Sequence, residues 1–572
     1  MKPIRTIVGD LPAYAAFCLA LALPAALAAG PTGGGTFVTA SHSDCTAFNP
    51  YLTADVNSWR IASSLFDTLV AYDDALAPRP CLAESWTLSP DGKTWSFRLR
   101  KNVRFHDGKE LTASDVQFTL DMLRDPKNRV TRRTCVDAMQ ASAESRDRVR
   151  FDASGPHAFS VHFERPAAWA IEDWASLPIL PRHRLEGRDL AQDPFNTSAP
   201  IGTGPFRLAR AIPGEQIELE AFDDHFAGRP RFDRLIVRIV PDDRKRLEML
   251  HAGMFDHAQV PTRQLLGALD DGLKDAFRIY ALTEPSYAYV GWQCDPERSP
   301  LFADSRIRQA MSWAIDVDAL IRDTLAGQAV RATSVFERAG GAQAAQPAAP
   351  TYDPDRARKA LGSAGWFDTD ADGVLDRGGQ RFSFHLDAPA GSQTVRQQVE
   401  QIASDLAKLG VDARPRFTEW EQFMTGRIQP RDFEAVYLGW YLPIEPDPHP
   451  FFHSSSIPTP TNPRGLNRNG FRDADVDRLI DEARSAVDPA SRRALTDEID
   501  RKLRELAPYT LLFQARQFGL ISRRVQVERA SVVPAMNPAL RTTVLEVSRL
   551  GMLTPDFLRL SWLTPAAPRP GR

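Results

Sequence analysis

Apolar residues recur along this chain at two alternating periods. In 57–73, NSWRIASSLFDTLVAYD, Ile61, Leu65, Phe66 and Leu69 stand at helical spacing, the step of three and four that puts side chains on one face. In 86–100, WTLSPDGKTWSFRLR, Trp95, Phe97 and Leu99 alternate, which is the period of a half-buried strand. Pro90-Asp91-Gly92 supplies a turn between two such strands. LTASDVQFTLDMLRD at 111–125 predicts a helix capped by Thr112, with Asp115 in the third position of a near capping box. Strands are predicted at 36–40, 216–222 and 234–240, and a hairpin over 145–164. One amphipathic helix is predicted over 305–325, another over 394–409 ended by Gly410, and a helix pair over 473–488 and 490–506. Strands and helices mix without strict alternation, so the class is α/β grading into α+β.

The chain has 572 residues, too many for one small core, and several domains are expected. Its net charge of -3 gives no basic excess for nucleic acid or an anionic membrane surface. Lys2 and Arg5 precede an apolar run, 11–27, and Ala26-Leu27-Ala28 fits a small-residue cleavage site; this is an export signal. Export leaves Cys45, Cys81, Cys135 and Cys294 in the mature chain. An even count in an oxidising compartment permits two disulfides in three connectivities, or four free thiols. There is no CxxC pair.

Catalytic signatures are missing. No HExxH helix, GxSxG elbow or GxxxxGK phosphate loop occurs. His251 and His257 are wrongly spaced for one helix face and read as surface residues. Arg306, Arg308 and Asp316 read as helix-surface charges, His106-Asp107-Gly108 as a turn, and Gly202 and Gly204 as points of tight backbone passage. Asp368, Asp370, Asp372, Gly373 and Asp376 begin like an EF-hand loop, but its twelfth position is Gly379 in place of Glu. A strand pattern follows in place of a helix, so the run reads as a connecting turn.

LAESWTLSPDGKTWSFRLRKNVRFHDGKELTASDV, at 82–116, resembles the signature region of the extracellular solute-binding proteins of family 5, the peptide, oligopeptide and nickel binders of ABC importers. FNPYL at 48–52, PIGTGPFRL at 200–208, FAGRPRFDRLIVRIVPD at 226–242, FADSRIRQAMSWAIDVDALI at 302–321 and DADVDRLIDEAR at 473–484 match in the same order. The resemblance covers nearly the whole mature chain. It implies a two-lobed periplasmic-binding-protein-like fold of type II, with an extra subdomain and the ligand cleft between the lobes. Lobe 1 is expected from 36–75, 205–290 and 520–562, the subdomain from 76–204, and lobe 2 from 291–519. A signal peptide (1–28), a linker (29–35) and a disordered tail (563–572) complete the chain.

The implied function is capture of a peptide or peptide-like solute, with closure by a hinge and delivery to an ABC importer permease. An oligosaccharide, an opine or a metal chelate is the alternative solute; a periplasmic sensor or chaperone and a secreted hydrolase are alternatives of another class. The resemblance implies a periplasmic or extracellular monomer with no cofactor, resident metal, nucleic acid or catalytic residue. The stretch 437–456, YLGWYLPIEPDPHPFFHSSS, is the expected cleft loop, with Trp440, Tyr441, Glu445, Asp447 and His449 as ligand contacts stiffened by four prolines. Asp55, Val56 and Asn57 are expected to offer main-chain hydrogen bonds from the facing lobe in a strand-addition mode. Trp420 and Gln514 are weaker candidates for the cleft wall, and both are expected to be packing residues. Peptide binders of the family carry an Asp soon after this Trp to pair the α-amine; here Leu442 and Pro443 stand there.

Overall fold

The computed structural model describes residues 34–52, 55–72, 78–128, 130, 149–260, 270–283, 286–336, 350–441, 447–460, 462, 465–526, 531–533, 544–546 and 561–562. The expected signal sequence, Cys135, Leu442, Pro443, Glu445 and residues 563–572 lie outside these residues.

The chain opens with β1 (Thr36–Ser41), followed by α1 (Val56–Leu65). A four-stranded antiparallel sheet comes next, with β2 (Ala83–Leu88), β3 (Thr94–Leu99), β4 (Arg150–Gly155) and β5 (Ala158–His162) in the order β2-β3-β5-β4. Trp95, Phe97 and Leu99 are buried on one of its faces, as their alternation predicts. Helix α2 (Ala113–Arg124) starts with the predicted capping box of Thr112 and Asp115.

The chain then returns to β1. Strands β6 (Phe206–Ile212), β7 (Gln216–Ala221) and β8 (Arg234–Ile239) form a meander whose last strand runs parallel to β1. Helix α3 (Asp243–His251), β9 (His257–Val260) and β10 (Phe277–Thr283) follow. A second sheet starts at β11 (Ser286–Trp292), so the boundary expected at 290/291 falls inside this strand. It adds β12 (Ser383–Pro389), β13 (Asp412–Thr418), β14 (Ala435–Tyr441) and β15 (Tyr509–Leu511), in the order β13-β12-β14-β11-β15. Strand β16 (Phe513–Ser522) then goes back to the first sheet, between β9 and β10.

Three local expectations change. Helix α1 stops at Leu65 rather than running on to Leu69, because the loop 202–204 lies against its last turn: Gly204 N–H donates to the Leu65 carbonyl at 2.9 Å. The single helix expected over 305–325 is two, α4 (Ser305–Ala314) and α5 (Val317–Leu325). Asp316 caps the second by accepting from Ala319 N–H, and Ile315 between them is extended. Arg308 is buried, not a surface charge: it donates to the carbonyls of Phe302, Ala303 and Leu506 and so holds α4 against the end of a distant helix, α9 below. The expected C-terminal pair forms as α8 (Ala474–Ser485) and α9 (Pro489–Leu506), after α6 (Pro354–Ser363) and α7 (Gln393–Ala407).

Cys45, Cys81 and Cys294 are free thiols, so the two disulfides permitted by their number do not form. Cys45 Sγ donates to Ala47 O and Cys294 Sγ to Trp292 O, each within its own loop. Burial pushes the Cys45 thiol up to about 11 and the Cys81 thiol to about 12, which keeps both protonated and unreactive. Among the described residues, no helix is long and apolar enough to cross a membrane.

Candidate functional site

Strand direction fixes where the two sheets meet. In the second sheet β12, β13 and β14 are parallel, and Tyr441 at the end of β14 pairs with Ser286 at the start of β11. The carboxyl ends of those three strands therefore share one edge with the point where the chain enters from β10. Strand β15 leaves toward the same edge, since Leu511 pairs with Tyr289. In the first sheet, β1 and β9 are parallel and both antiparallel to β16 across β9. Their carboxyl ends point the way β10 ends and β16 begins. Both sheets thus present strand carboxyl ends to each other across two adjacent links. Loops at such ends are where open α/β sheets bind ligands.

On the second sheet, Trp440 and Tyr441 stand at this edge. Trp440 is half-buried, stacked on Tyr289 at 6.3 Å and meeting Phe451 edge-on at 4.8 Å. Its Nε1 is buried beside the Tyr289 and Tyr509 hydroxyls but in hydrogen-bond geometry with no acceptor. Trp420, expected to pack, is mostly uncovered: it lies just beyond the end of β13, is 58% exposed and meets only the edge of the core through Phe423, 6.1 Å between ring centroids. The short helix that it opens buries Phe423 instead, so the next aromatic takes the core position. Gln514, in contrast, is buried at the start of β16, with its Nε2 unpaired.

On the first sheet, the segment Asp55-Val56-Asn57 is not a strand edge. Asp55 is the N-cap of α1, accepting from Ser58 N–H at 2.8 Å, and Val56 and Asn57 begin the helix. A helical backbone cannot add to an extended ligand as a strand does. Asn57 is turned inward, donating to Ser43 Oγ at 2.5 Å. Below it runs a polar chain that the sequence does not reveal. His257 is not a surface residue: Thr39 Oγ1 and Tyr280 Oη each lie 2.7 Å from its ring nitrogens, and Phe37 stacks on it. Burial, then the Arg60 charge, lowers its pKa to about 3, so it stays neutral.

The expected cleft loop is largely self-contained. Asp447 accepts from His449 N–H at 3.0 Å and lies 3.3 Å from Arg484. His449 stacks on His453 at 4.4 Å, and burial lowers its pKa to about 3. His449, His453 and Asp481 bring ligand atoms close together. However, His453 Nδ1 accepts from Ser455 N–H, which directs its remaining N–H at Asp481, 3.6 Å away. The cluster is satisfied internally.

The aspartate run behaves as a turn. Asp368 accepts from Gly373 N–H, Asp370 from Asp372 N–H, Asp372 from Val374 N–H, and Asp376 from Thr369. It joins α6 to the short pair Asp376–Arg377 and Gln380–Arg381 that precedes β12. Asp368, Asp370 and Asp376 bring ligand oxygens close together, but the loop has Gly379 in place of the bidentate Glu at its twelfth position, so EDTA is expected to leave solute affinity and melting temperature unchanged. A fall in either, by calorimetry, would make the turn a working calcium site.

Two lobes that face each other with strand carboxyl ends across a double link define a hinged solute-binding protein. The profile of the bacterial extracellular solute-binding proteins, family 5 (Middle), matches residues 77–463, and the chain belongs to that family. It is 30% identical over 508 residues to the oligopeptide-binding protein AppA of Bacillus subtilis, covering 84% of this chain and 87% of that protein. It is 25% identical over 528 residues to the dipeptide-binding protein of Escherichia coli, covering 89% and 94%. The structure of the Bacillus subtilis AppA in complex with a nonapeptide superposes with a TM-score of 0.69 at 27% identity, over 93% of this chain and all of that one. NikZ of Campylobacter jejuni, in complex with Ni(L-His), shares the fold with a TM-score of 0.70 at 23% identity, over 92% and 99%.

Proposed function

We propose that this protein captures a peptide or peptide-like solute between its lobes and delivers it to an ABC importer permease. It works as an exported, periplasmic or extracellular monomer whose leader is removed near Ala28, and it catalyses nothing. The observation that carries this reading is the pair of facing carboxyl edges, with a bare indole, Trp420, on one of them. An exposed tryptophan is costly to leave in water and inexpensive to cover with a ligand. Likeness to an oligopeptide-binding protein over most of both chains supports peptide as the solute class.

Leu442 and Pro443, where peptide binders of the family carry an Asp, favour a second reading in which the solute is an oligosaccharide, an opine or a metal chelate. Native mass spectrometry of the protein from an exporting host, followed by calorimetry with a defined nonapeptide, separates the two. The expected result is a released mass that fragments as a peptide, and peptide binding without turnover. A sugar or chelate mass, with no peptide binding, would overturn the peptide reading and leave the hinged-binder reading standing. Cleavage of the nonapeptide would overturn both in favour of a hydrolase.

A further inference from the structure

Among the described residues, the first lobe holds a cation without a counter-charge at the cleft edge. Arg60 lies in the second turn of α1 and is half-buried. Its Nη1 donates to Gln259 Oε1 at 2.9 Å. Its Nε is buried and meets no acceptor. Gln259 Nε2 is also buried, beside the Tyr280 hydroxyl but outside hydrogen-bond geometry with it. Among the described residues, no carboxylate pairs with Arg60.

The carboxylates near it in the chain are committed elsewhere. Asp55 accepts from Ser58 N–H and from the hydroxyls of Ser58 and Thr46. Asp256 accepts from Val38 N–H at 2.9 Å and pairs with Arg524 at 2.6 Å. The other polar groups around Arg60 are His42, the neutral His257 and Tyr280, none of which carries negative charge. A guanidinium keeps its charge at every physiological pH and has only donors to offer. Most partly buried arginines in this chain have a carboxylate or a set of carbonyls; Arg416, for instance, grips Asp387 with two nitrogens.

Arg516, at the start of β16, likewise has a buried Nε that meets no acceptor, so what singles out Arg60 is its position. Helix side chains lean toward the helix N-terminus, and the N-terminus of α1 lies off the carboxyl end of β1, where Asn57 reaches Ser43. Gln259 is the penultimate residue of β9, whose carboxyl end shares that edge. On the opposite lobe, no acidic residue follows Trp440 until Glu445.

Resting on the solute-binding reading above, we infer that Arg60, steadied by Gln259, anchors a carboxylate of the solute, so that the protein selects by a negative group rather than a free amine. A carboxylate gives the guanidinium two acceptors in one plane. The carboxylate is either a peptide C-terminus or an acidic side chain.

The test is titration calorimetry of the full mature chain with three nonapeptides lacking other acidic groups: a free acid, its C-terminal amide, and that amide with one internal Glu. The wild type is expected to bind the free acid, the Glu-containing amide or both roughly tenfold more tightly than the plain amide. Which of them gains tells terminus from side chain. Arg60→Gln is expected to lose that difference and bind the plain amide as the wild type does. Equal binding of all three by the wild type, or a preference that survives in Arg60→Gln, would overturn the inference. Melting the unliganded proteins separates a structural role: Arg60→Gln should melt no lower than the wild type, and a drop would assign Arg60 to holding α1 on β9. If no peptide binds the wild type, the peptide reading fails and the anchor is read with citrate instead. Citrate raising the melting temperature of the wild type but not of Arg60→Gln supports the anchor; equal shifts overturn it.

Discussion

Replacing Trp420 by alanine is expected to weaken solute binding by roughly ten- to a hundredfold, the range of an interface aromatic that acts as a hot spot. The melting temperature of the unliganded protein should hardly move, since substitutions at exposed positions change stability by about 0.5 kcal/mol or less. The two parts of this result depend on one number: Trp420 is 58% exposed although it is among the largest apolar side chains in the chain. Its backbone is fixed from both sides. Thr418 closes β13, and Phe423 is buried one helical turn on. The indole is therefore presented rather than loose, and little ordering is lost when a ligand covers it. Calorimetry with the nonapeptide and a thermal melt read the two halves. Unchanged affinity would remove Trp420 from the cleft wall; a large fall in melting temperature would return it to the core. Trp440 provides the contrast, because its stack on Tyr289 and its contact with Phe451 make it part of the packing of the second lobe.

Gly202→Ala is expected to cost about 3 kcal/mol or more, at the severe end for one substitution. The backbone of Gly202 has no special conformation; the obstacle is space. A Cβ there would stand 1.9 Å from the Leu65 carbonyl oxygen and 2.8 Å from its carbon. Those are backbone atoms at the end of α1, held by Gly204 N–H, and they cannot rotate away. Chemical denaturation of the unliganded protein measures the loss. A loss of about 1 kcal/mol or less, the ordinary propensity range, would show that the 202–204 loop can lift off α1. Since α1 carries Arg60, the same variant should also weaken solute binding in proportion to its unfolded fraction.

Much of this architecture is legible from residue patterns, for a physical reason. The hairpin of β2 and β3, the capping box of α2 and the helix pair α8 and α9 are local: alternation, a turn and a cap act within a few residues. What is not legible is set at a distance. Leu65 ends its helix because of a loop more than a hundred residues later. Arg308 looks like a surface charge on its own helix, and only the carbonyl of Leu506 makes it a buried one. His257 has no local signal for its place between Thr39 and Tyr280, which come from two other strands. Trp420 and Phe423 are both aromatic on one short turn, and nothing in their spacing says which of them faces inward. Family resemblance supplied the lobes, but Arg60 belongs to none of the matched segments and had to be found from its surroundings.

The two links between the sheets act mechanically as one joint. Strands β10 and β16 are hydrogen-bonded neighbours up to Thr283 and Arg516, and β11 and β15 are neighbours again from Tyr289 and Leu511. The described residues on either side of the joint stay paired, with Leu512 N–H also donating to Ala288 O, and a joint so bounded is expected to act as a ribbon rather than as two separate cords. A ribbon folds easily about the line across its width, but sliding one edge past the other would shear its ladder of hydrogen bonds. Opening is thus expected to follow a single swing, which would make the gap between the lobe tips a gauge of occupancy. A membrane partner that spans both tips can tell a loaded protein from an empty one by that one length, whatever solute lies inside.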